Sequence, residues 1–361
     1  MQTKIIKINP GFPEEGLIKE AAEVLRKGGL IAFPTETVYG IAANYLDKTA
    51  IDKLYSIKKR PRSKPFTFHI AKFETLRELE IVLSDRALNI VNKFWPGPLT
   101  IVAFNKKKEK IGIRMPRNKV AIAFINGSGV PVVAPSANIS GEKPAVSSAE
   151  VFSALNGSID IILDGGDAEI GLESSVLDVT TEPFTVLREG SLSKEDLLAD
   201  WHVLFICTGN SCRSVMAKAI LEKLLKESVL SGKVRVDSAG TGAYQGIPAA
   251  PNTIEVIKEE GMDVSMHKGK AVTVELLRKS DLIFVMERAH RDIILNRLPG
   301  IDSKIRLLKE DREIPDPIGK PVEEYRRVRD IIKQEVEDIF LELFQKESKD
   351  EDRNRRGSRG I

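Results

Sequence analysis

One stretch decides the fold of the second half of the chain: Val203-Leu204-Phe205-Ile206-Cys207-Thr208-Gly209-Asn210-Ser211-Cys212-Arg213-Ser214. Its first four residues are apolar and predict a buried strand, and a helix is expected to begin near Arg213. Cys207 then lies at the carboxyl end of the strand. Gly209 and Asn210 lie in the intervening loop, and both residue types tolerate a positive φ. Such a loop can turn its backbone N–H groups inward and hold an oxyanion at the amino end of the helix.

The residue types in this loop suit a phosphoryl group. The positive field of the loop favours the thiolate form of Cys207, which is the nucleophilic form of a cysteine. Arg213 can hold two phosphate oxygens through its planar fork, and Ser214 can donate a hydrogen bond to the thiolate. A buried inert thiol fits poorly, because this cysteine adjoins a glycine-containing loop that ends in arginine. The other residues expected around the anion are Thr208, Gly209, Asn210, Ser211 and Cys212.

A thiolate nucleophile needs a separate acid to protonate the departing atom. Pro315-Asp316-Pro317 supplies one, and the flanking prolines stiffen the loop that holds Asp316. An isolated Asp-Pro pair indicates only a turn, but together with the upstream loop it is predicted to be catalytic. Two interpretations of Cys212 stay open: it is a reversible redox partner of Cys207, or it is a small loop residue. The predicted catalytic residues are Cys207, Arg213 and Asp316.

The rest of the second half alternates strands and helices around this loop, which predicts an α/β domain with a doubly wound parallel sheet. A broad apolar stripe marks the last helix. Residues 346–361 lack apolar residues before the final position and predict a disordered charged tail. The tail arginines could touch RNA, although a solvated tail is the simpler interpretation. Strands are expected at 202–206, 234–238 and 282–286, and helices at 213–227, 250–260 and 322–344.

Length and composition indicate the number of domains and the class of protein. A chain of 361 residues exceeds one ordinary core, which predicts domains at 1–198 and 201–345 with a tail at 346–361. The net charge of +3 permits anionic substrates without indicating nucleic acid. Two cysteines, no apolar signal segment and no membrane-length apolar run predict a cytoplasmic protein that does not contact membranes. Four widely spaced histidines give no zinc pattern, so no metal site is expected.

The first half reads as a mixed-sheet α/β domain. Polar stretches punctuate its strands, at the strand ends where open α/β sheets place their sites. Five cations in these stretches could together neutralise a triphosphate, whereas each alone is an ordinary surface charge. The residues by themselves therefore indicate an anion-binding cleft. Strands are expected at 4–8, 30–33, 66–70, 100–104, 112–115, 131–134, 159–163, 175–179 and 185–187, and helices at 15–27, 85–94 and 148–155.

Residues 202 to about 343 resemble the low-molecular-weight protein phosphatase and arsenate reductase family. The resemblance rests on the loop after Cys207, the distal Asp316-Pro317 pair and the run Asp237-Ser238-Ala239-Gly240-Thr241. It implies hydrolysis of protein phosphate esters or phosphoarginine without a cofactor. It also implies a phosphocysteine intermediate on Cys207, which water attacks with the help of Asp316.

Residues 4 to about 198 resemble the YrdC-like family, the L-threonylcarbamoyladenylate synthases. The family joins L-threonine, bicarbonate and ATP with Mg²⁺ into threonylcarbamoyl-AMP and pyrophosphate, and its product feeds proteins that modify tRNA. The resemblance includes a Lys-x-Arg pair (Lys58, Arg60) and a Ser-x-Asn pair (Ser136, Asn138). Longer members carry a C-terminal domain of their own, where the phosphatase-like half stands here. The resemblance implies threonine-binding residues Thr35, His69, Arg114, Ser136 and Ser174, with Arg114 and Ser136 near the junction, and ATP-binding residues Lys58, Arg60, Arg62, Asn138 and Arg188.

Two alternatives stay open. A first half that binds nucleic acid without catalysis would have the basic residues it needs, but it lacks an evident aromatic stacking set or basic stripe. An arsenate reductase would share the run Cys-Thr-Gly-Asn-Ser-Cys-Arg-Ser. The thioredoxin-coupled cycle of such enzymes needs further cysteines downstream, and this chain has none after Cys212.

The residues around Asp316 bear on the phosphatase substrate. Tyrosine phosphatases of the family usually place aromatic residues just after Asp-Pro, whereas Ile318-Gly319-Lys320-Pro321 follows here. Protein arginine phosphatases resemble this chain more closely, with a glycine-containing stretch after Asp-Pro and a threonine where Ser211 stands.

We therefore expect kcat/KM on a phosphoarginine peptide to be at least comparable to that on the same peptide carrying phosphotyrosine. The measurement compares both peptides under one set of conditions with the full chain. A hundredfold preference for phosphotyrosine, about 2.7 kcal/mol of transition-state stabilisation, would contradict the expectation.

Overall fold

Two separate sheets organise the chain. The computed structural model describes the backbone of residues 2–357 and the side chains of residues 2–343. Contacts divide the chain into two units, Met1–Leu197 and Leu198–Ile361, each with its own sheet and hydrophobic core. Within the described residues, no helix is both long and apolar enough to cross a bilayer.

The first unit contains a mixed sheet, as the sequence predicts. In chain order its elements are β1 (Lys4–Lys7), α1 (Glu15–Arg26), β2 (Ile31–Phe33), β3 (Gly40–Asn44), α2 (Lys48–Lys58), β4 (Phe68–His69), α3 (Thr75–Glu78), α4 (Asp85–Phe94), β5 (Leu99–Phe104), β6 (Lys110–Arg114), α5 (Lys119–Ser128), β7 (Val132–Val133), α6 (Ser148–Leu155), β8 (Ile161–Asp164), β9 (Ser175–Asp178), β10 (Thr185–Arg188) and α7 (Lys194–Leu198). The described strands lie in the order β1-β8-β2-β3-β7-β4-β6-β5-β9-β10, with parallel and antiparallel neighbours.

Helices cover both faces of one part of this sheet. Ile31 and Phe33 of β2 point to the core beneath α1 and α5, while Ala32 between them points to the core beneath α2 and α6. This follows from the period-two alternation of a strand. The strand is buried at every position, which explains why it is apolar throughout.

Sequence periodicity missed several elements, of which β3 and α2 matter most for the site. The strand β3 has mostly small residues, and its extended conformation is stabilised by antiparallel pairing with β2. The helix α2 is polar, but it begins at a strong cap, because Asp47 Oδ1 accepts hydrogen bonds from the backbone N–H groups of Thr49 (2.9 Å) and Ala50 (3.1 Å). Lys59 ends it in a left-handed conformation (φ 47°).

The second unit has a parallel sheet with helices on both faces, which confirms the doubly wound prediction. Its elements are β11 (Trp201–Cys207), α8 (Arg213–Lys226), β12 (Val234–Gly240), α9 (Pro251–Glu259), α10 (Val274–Lys279), β13 (Leu282–Val285), α11 (Arg288–Arg297), a 3₁₀ turn (Asp302–Lys304), β14 (Ile305–Leu307) and α12 (Val322–Gly357). The described strands lie in the order β12-β11-β13-β14. Val203 and Phe205 of β11 face α8, α9 and α12, while Leu204 and Ile206 face α10 and α11.

The last helix is longer than the predicted range 322–344. Its apolar stripe packs on the sheet as expected, and Tyr325, Val328, Ile332 and Val336 are all buried. The backbone of the tail predicted to be disordered over 346–361 is helical as far as Gly357. That stretch is rich in Glu, Lys and Arg, which have high helix propensity. Residues 358–361 and the side chains of the tail arginines lie outside the described residues.

Candidate active sites

Asn210 closes the loop that follows Cys207. The residue is fully buried and its backbone is left-handed (φ 51°). Its Nδ2 donates hydrogen bonds of 3.0 Å to Ser214 Oγ and to Ser238 Oγ. Its Oδ1 accepts one from the backbone N–H of Lys270 (3.0 Å). One amide therefore ties the loop to α8, to β12 and to the segment before α10.

The end of β12 lies against the same loop. The backbone N–H of Thr241 donates to the Cys207 carbonyl and that of Gly242 to the Thr208 carbonyl, both at 3.0 Å. A Cβ at Gly240 would lie 2.4 Å from the Thr208 carbonyl oxygen and 2.9 Å from the Asn210 nitrogen. Only glycine permits this close approach, which holds the loop backbone in place.

Cys207 and Ser214 meet inside the loop. Cys207 Sγ lies 3.0 Å from Ser214 Oγ, and both residues are buried. Because the Asn210 amide already donates to Ser214 Oγ, the serine O–H is left to donate to the sulfur. A donated hydrogen bond at the amino end of a fourteen-residue helix stabilises a thiolate.

Arg213 joins the loop to the predicted acid. Its guanidinium is almost fully buried and donates from Nη1 to the Glu287 carboxylate and to the Ile314 carbonyl (2.9 Å). Nη2 donates to Asp316 Oδ2 at 2.7 Å. In the described part of the chain, the Nε–H and the second Nη2–H make no hydrogen bond. These two N–H groups are left to donate to phosphoryl oxygens.

The structure adds partners that the sequence analysis missed. Glu287 follows β13, so the polar residue at that strand end was a usable signal. His267 Nε2 lies 2.8 Å from the Asn210 carbonyl oxygen, and His290 Nε2 lies 3.0 Å from Thr208 Oγ1. Neither histidine had a local signal, because each reaches the loop from a distant segment.

Cys212 is a free thiol, like Cys207, and it packs in the core beneath α12. Its Sγ lies 3.7 Å from the Tyr325 hydroxyl and 3.6 Å from Ser211 Oγ. Burial, with the hydrogen bond to Cys212, raises the pKa of Tyr325 above its ordinary value. The neutral tyrosine therefore contacts the thiol near neutral pH. Gly209 is half-buried at the outer part of the loop.

The first unit contains a cavity of about 400 Å³. Its floor includes Thr100 and Val102 of β5 and Gly112 of β6, so it lies on a sheet face as well as at strand ends. Thr35 shapes one wall, because its Oγ1 donates to the Val38 carbonyl (2.6 Å) and closes the turn after β2. Seven of the ten predicted residues line the cavity: Thr35, Arg60, His69, Arg114, Ser136, Ser174 and Arg188.

A buried ion pair lies under this cavity. Arg114 Nη2 donates to Glu36 Oε1 at 2.7 Å, and both side chains are buried. Burial alone would raise the pKa of Glu36, but the Arg114 charge and hydrogen bond lower it below its ordinary value. Arg114 Nε has no hydrogen-bond partner among the described residues. Burial, reinforced by Arg114, lowers the pKa of nearby His69 to about 3, so this imidazole is neutral near pH 7.

Arg188 and Ser174 join three strands at the other side of the cavity. Arg188 donates from Nε to the Ser174 carbonyl (3.0 Å), from Nη2 to Ser174 Oγ (3.2 Å) and from Nη1 to Glu173 Oε1 (2.8 Å). Thr100 Oγ1 lies 2.9 Å from Ser174 Oγ. The arginine is therefore held in place by protein groups at the cavity wall.

Lys58 and Asn138 lie behind the cavity wall and do not line it. Lys58 Nζ donates to the carbonyls of Ser136 and Asn138 and to Asn138 Oδ1. Burial, followed by the Arg60 charge, lowers the pKa of Lys58 to about 8. Its three acceptors match the ammonium form, since an amine has only two N–H donors. Ser136 Oγ also donates to Asn138 Oδ1 (2.6 Å), so the lysine supports the turn that presents Ser136.

Arg62 lies outside the cavity. Its side chain is 68% exposed and pairs with Asp52 (2.7 Å) over the ring of Tyr55. Arg60, by contrast, lines the cavity and donates to the Lys64 and Pro65 carbonyls of its own loop. Other lining residues that the sequence analysis missed include Tyr39, Lys64, Thr67, Lys110 and Glu173. Within the described residues, no group of three His, Cys, Asp or Glu side chains could hold a metal ion.

Comparison with known proteins identifies relatives of both halves. The Sua5_yciO_yrdC family model, described as Telomere recombination, matches residues 23–190, and the model of the low molecular weight phosphotyrosine protein phosphatases matches residues 202–350. Pyrococcus abyssi threonylcarbamoyl-AMP synthase is 40% identical over 193 residues, 51% of this chain and 57% of the relative. A Methanocaldococcus jannaschii protein provisionally given the same name is 31% identical over 208 residues, 55% of this chain and 98% of the relative. The chain thus spans about half the length of its longer curated relatives.

Solved structures resemble the chain as well. Pyrococcus abyssi Sua5 complexed with L-threonine aligns with a TM-score of 0.52 and 26% identity, over 92% of this chain and 97% of that one. The YwlE arginine phosphatase from Geobacillus stearothermophilus aligns with a TM-score of 0.39 and 32% identity, over 41% of this chain and 96% of that one.

The close approach at Gly240 yields a test of the oxyanion loop. Gly240→Ala should weaken tungstate binding to the full chain by about tenfold or more, because the new Cβ must displace the Thr208 carbonyl. Gly242→Ala is the matched control, since its Cβ would lie 3.9 Å from the same oxygen, an ordinary contact. Calorimetric titration measures both variants. Equal tungstate affinity for Gly240→Ala and the unmodified chain would show that the loop does not bind the anion.

Proposed function

We propose that this chain is a bifunctional enzyme, because it belongs to the Sua5, YciO and YrdC family over residues 23–190 and carries a low molecular weight phosphatase domain over residues 202–350. The first half forms threonylcarbamoyl-AMP from L-threonine, bicarbonate and ATP. The second half hydrolyses phosphorylated protein side chains through a phosphocysteine.

The cavity floor is the observation that carries the first activity. Arg114 lines the cavity beside a neutral His69, and its buried Nε–H has no partner among the described residues. Such an arrangement suits the carboxylate of an amino acid, and the Sua5 structure solved with L-threonine supports that substrate. Arg60 and Arg188 line the same cavity and are available for phosphate oxygens.

The reaction follows from this charge distribution. The threonine amino group and bicarbonate form a carbamate with loss of water. A carbamate oxygen then attacks the α-phosphorus of ATP, the bond from that phosphorus to the bridging oxygen breaks, and pyrophosphate leaves. Fixed cations stabilise the charge that develops on the phosphoryl oxygens. Mg²⁺ arrives with ATP as part of the substrate.

The fate of the product and the location of the enzyme complete this proposal. Threonylcarbamoyl-AMP is passed to proteins that modify tRNA, because a mixed anhydride of this kind is an activated group donor. We assign the enzyme to the cytoplasm, since the catalytic thiolate needs a reducing compartment and both cysteines are free thiols.

The contact between Cys207 and Ser214 carries the second activity. The thiolate attacks phosphorus while the Nε and Nη2 edge of Arg213 holds two phosphoryl oxygens. Asp316 protonates the departing atom as the bond to phosphorus breaks. Its carboxylate then removes a proton from the water that attacks the phosphocysteine. Phosphate leaves, and the thiolate is restored with the help of the Ser214 hydroxyl.

Lys58 tests the synthase. Lys58→Ala should abolish threonine- and bicarbonate-dependent pyrophosphate release, because the turn that presents Ser136 loses the cation that holds it. Lys53→Ala, on the exposed side of the same helix, is the control and should leave the rate unchanged. Phosphatase activity of Lys58→Ala should persist. Undiminished pyrophosphate release by Lys58→Ala would refute the role of this lysine.

Cys207 and Asp316 test the phosphatase. Cys207→Ser should eliminate hydrolysis of small aryl phosphates near neutral pH, since a serine hydroxyl does not ionise there. Asp316→Asn should slow turnover mainly for phenols that are poor leaving groups, because these need the proton most. Steady-state rates over a series of phenols measure both effects, with pyrophosphate release by the first half as an internal control. A substantial rate for Cys207→Ser would rule out the thiolate mechanism.

A further inference from the structure

His290 is a buried imidazole at the phosphatase site that the mechanism above does not use. It lies in the first turn of α11 and is 2% exposed. Its Nε2 is 3.0 Å from the hydroxyl of Thr208, the residue that directly follows the nucleophile. Thr208 itself is exposed.

The burial of the second ring nitrogen indicates which tautomer is present. His290 Nδ1 is buried and has no hydrogen-bond partner among the described residues. A buried N–H without an acceptor is rare, so the proton belongs on Nε2. Burial lowers the pKa of His290, and the Arg213 charge lowers it further. The carboxylates of Glu287, Asp316 and Glu313 raise this pKa, but the net shift is downward. A neutral imidazole therefore donates its Nε2–H to Thr208 Oγ1.

This hydrogen bond fixes the rotamer of Thr208. The methyl group lies on the side of Gly242, where a Cβ added to that glycine would be 3.9 Å away, while the hydroxyl turns toward α11. Arg213 donates to Glu287, the residue before α11, and to Asp316, so the first turn of α11 lies close to the predicted acid. After accepting from His290, Thr208 Oγ1 keeps one lone pair and its own O–H.

We propose, building on the phosphatase function above, that His290 is a positioning residue and that the Thr208 hydroxyl it orients selects leaving groups with polar nitrogen atoms. A phosphoarginine guanidinium offers N–H donors to the free lone pair. The ring of phosphotyrosine offers carbon atoms at that position, and the hydroxyl would lose water without gaining a partner. The pair therefore favours phosphoarginine over phosphotyrosine.

The experiment measures kcat/KM of the full chain on one peptide carrying either phosphoarginine or phosphotyrosine. Thr208→Val and His290→Leu should each lower the phosphoarginine value by about tenfold. The phosphotyrosine value should change less than about twofold in the same variants. On phosphoarginine, kcat/KM of the double variant should be no lower than that of Thr208→Val, because the two changes remove the same contact. His290→Gln keeps an N–H donor and should recover most of the phosphoarginine rate.

Two controls separate selection from folding. Arg291 lies on the exposed side of the same helix, and Arg291→Ala should change kcat/KM on neither substrate. The inhibition constant of inorganic phosphate should stay within about twofold in Thr208→Val, because phosphate has no leaving group.

An equal loss on both substrates, an additive double variant or weakened phosphate inhibition would overturn the inference and leave His290 a merely structural role. An unmodified chain that is inactive on both peptides would overturn the proposed phosphatase and this inference with it. An active chain whose substrate ratio is the same in all variants would overturn the inference alone.

Discussion

The left-handed backbone of Asn210 is the constraint on which the second unit's chemistry depends. It turns the chain sharply between β11 and α8, and the side chain then compensates by bonding Ser214, Ser238 and the Lys270 backbone. Asn210, Ser214 and Ser238 are buried, and an unsatisfied buried polar group costs about 1–3 kcal/mol. The loop geometry is thus maintained by groups from three elements. The direction of the Ser214 hydroxyl toward Cys207 is a consequence of the same network.

In the first unit, a buried ion pair offsets the cost of burying a charged side chain. A cation under the cavity floor would be expensive to bury alone, and Glu36 compensates the charge of Arg114 at 2.7 Å. The pair leaves the buried Arg114 Nε without a partner among the described residues. Removing the carboxylate would leave an uncompensated buried charge. In both units, a polar group at the candidate site is held by a second buried polar group.

The sequence predicted several of the local elements that carry the candidate site residues. Apolar strands ending at Cys207, His69 and Arg114 follow from short-range patterns, and so does the loop with Gly209 and Asn210. It did not predict that Lys58 would turn away from the cavity, because the three acceptors for its ammonium lie about eighty residues further along the chain. Nor did it predict β3, whose small residues become a strand by pairing with β2. Arg62 was expected at the nucleotide and lies outside the cavity, where it pairs with Asp52 on α2.

The sequence by itself determined the two α/β units and the loop that joins Cys207 to Arg213, and it singled out Asp316 as the predicted acid. These depend on strand alternation, on residues that tolerate a positive φ and on the chemistry of single side chains, all of which are local properties. Only the tertiary structure decided which partner each side chain has. Glu287 on Arg213, His290 on Thr208 and Glu36 on Arg114 each join residues more than seventy positions apart. Their pairing depends on strand order and on the burial of charge, and neither is encoded in any short stretch of the chain.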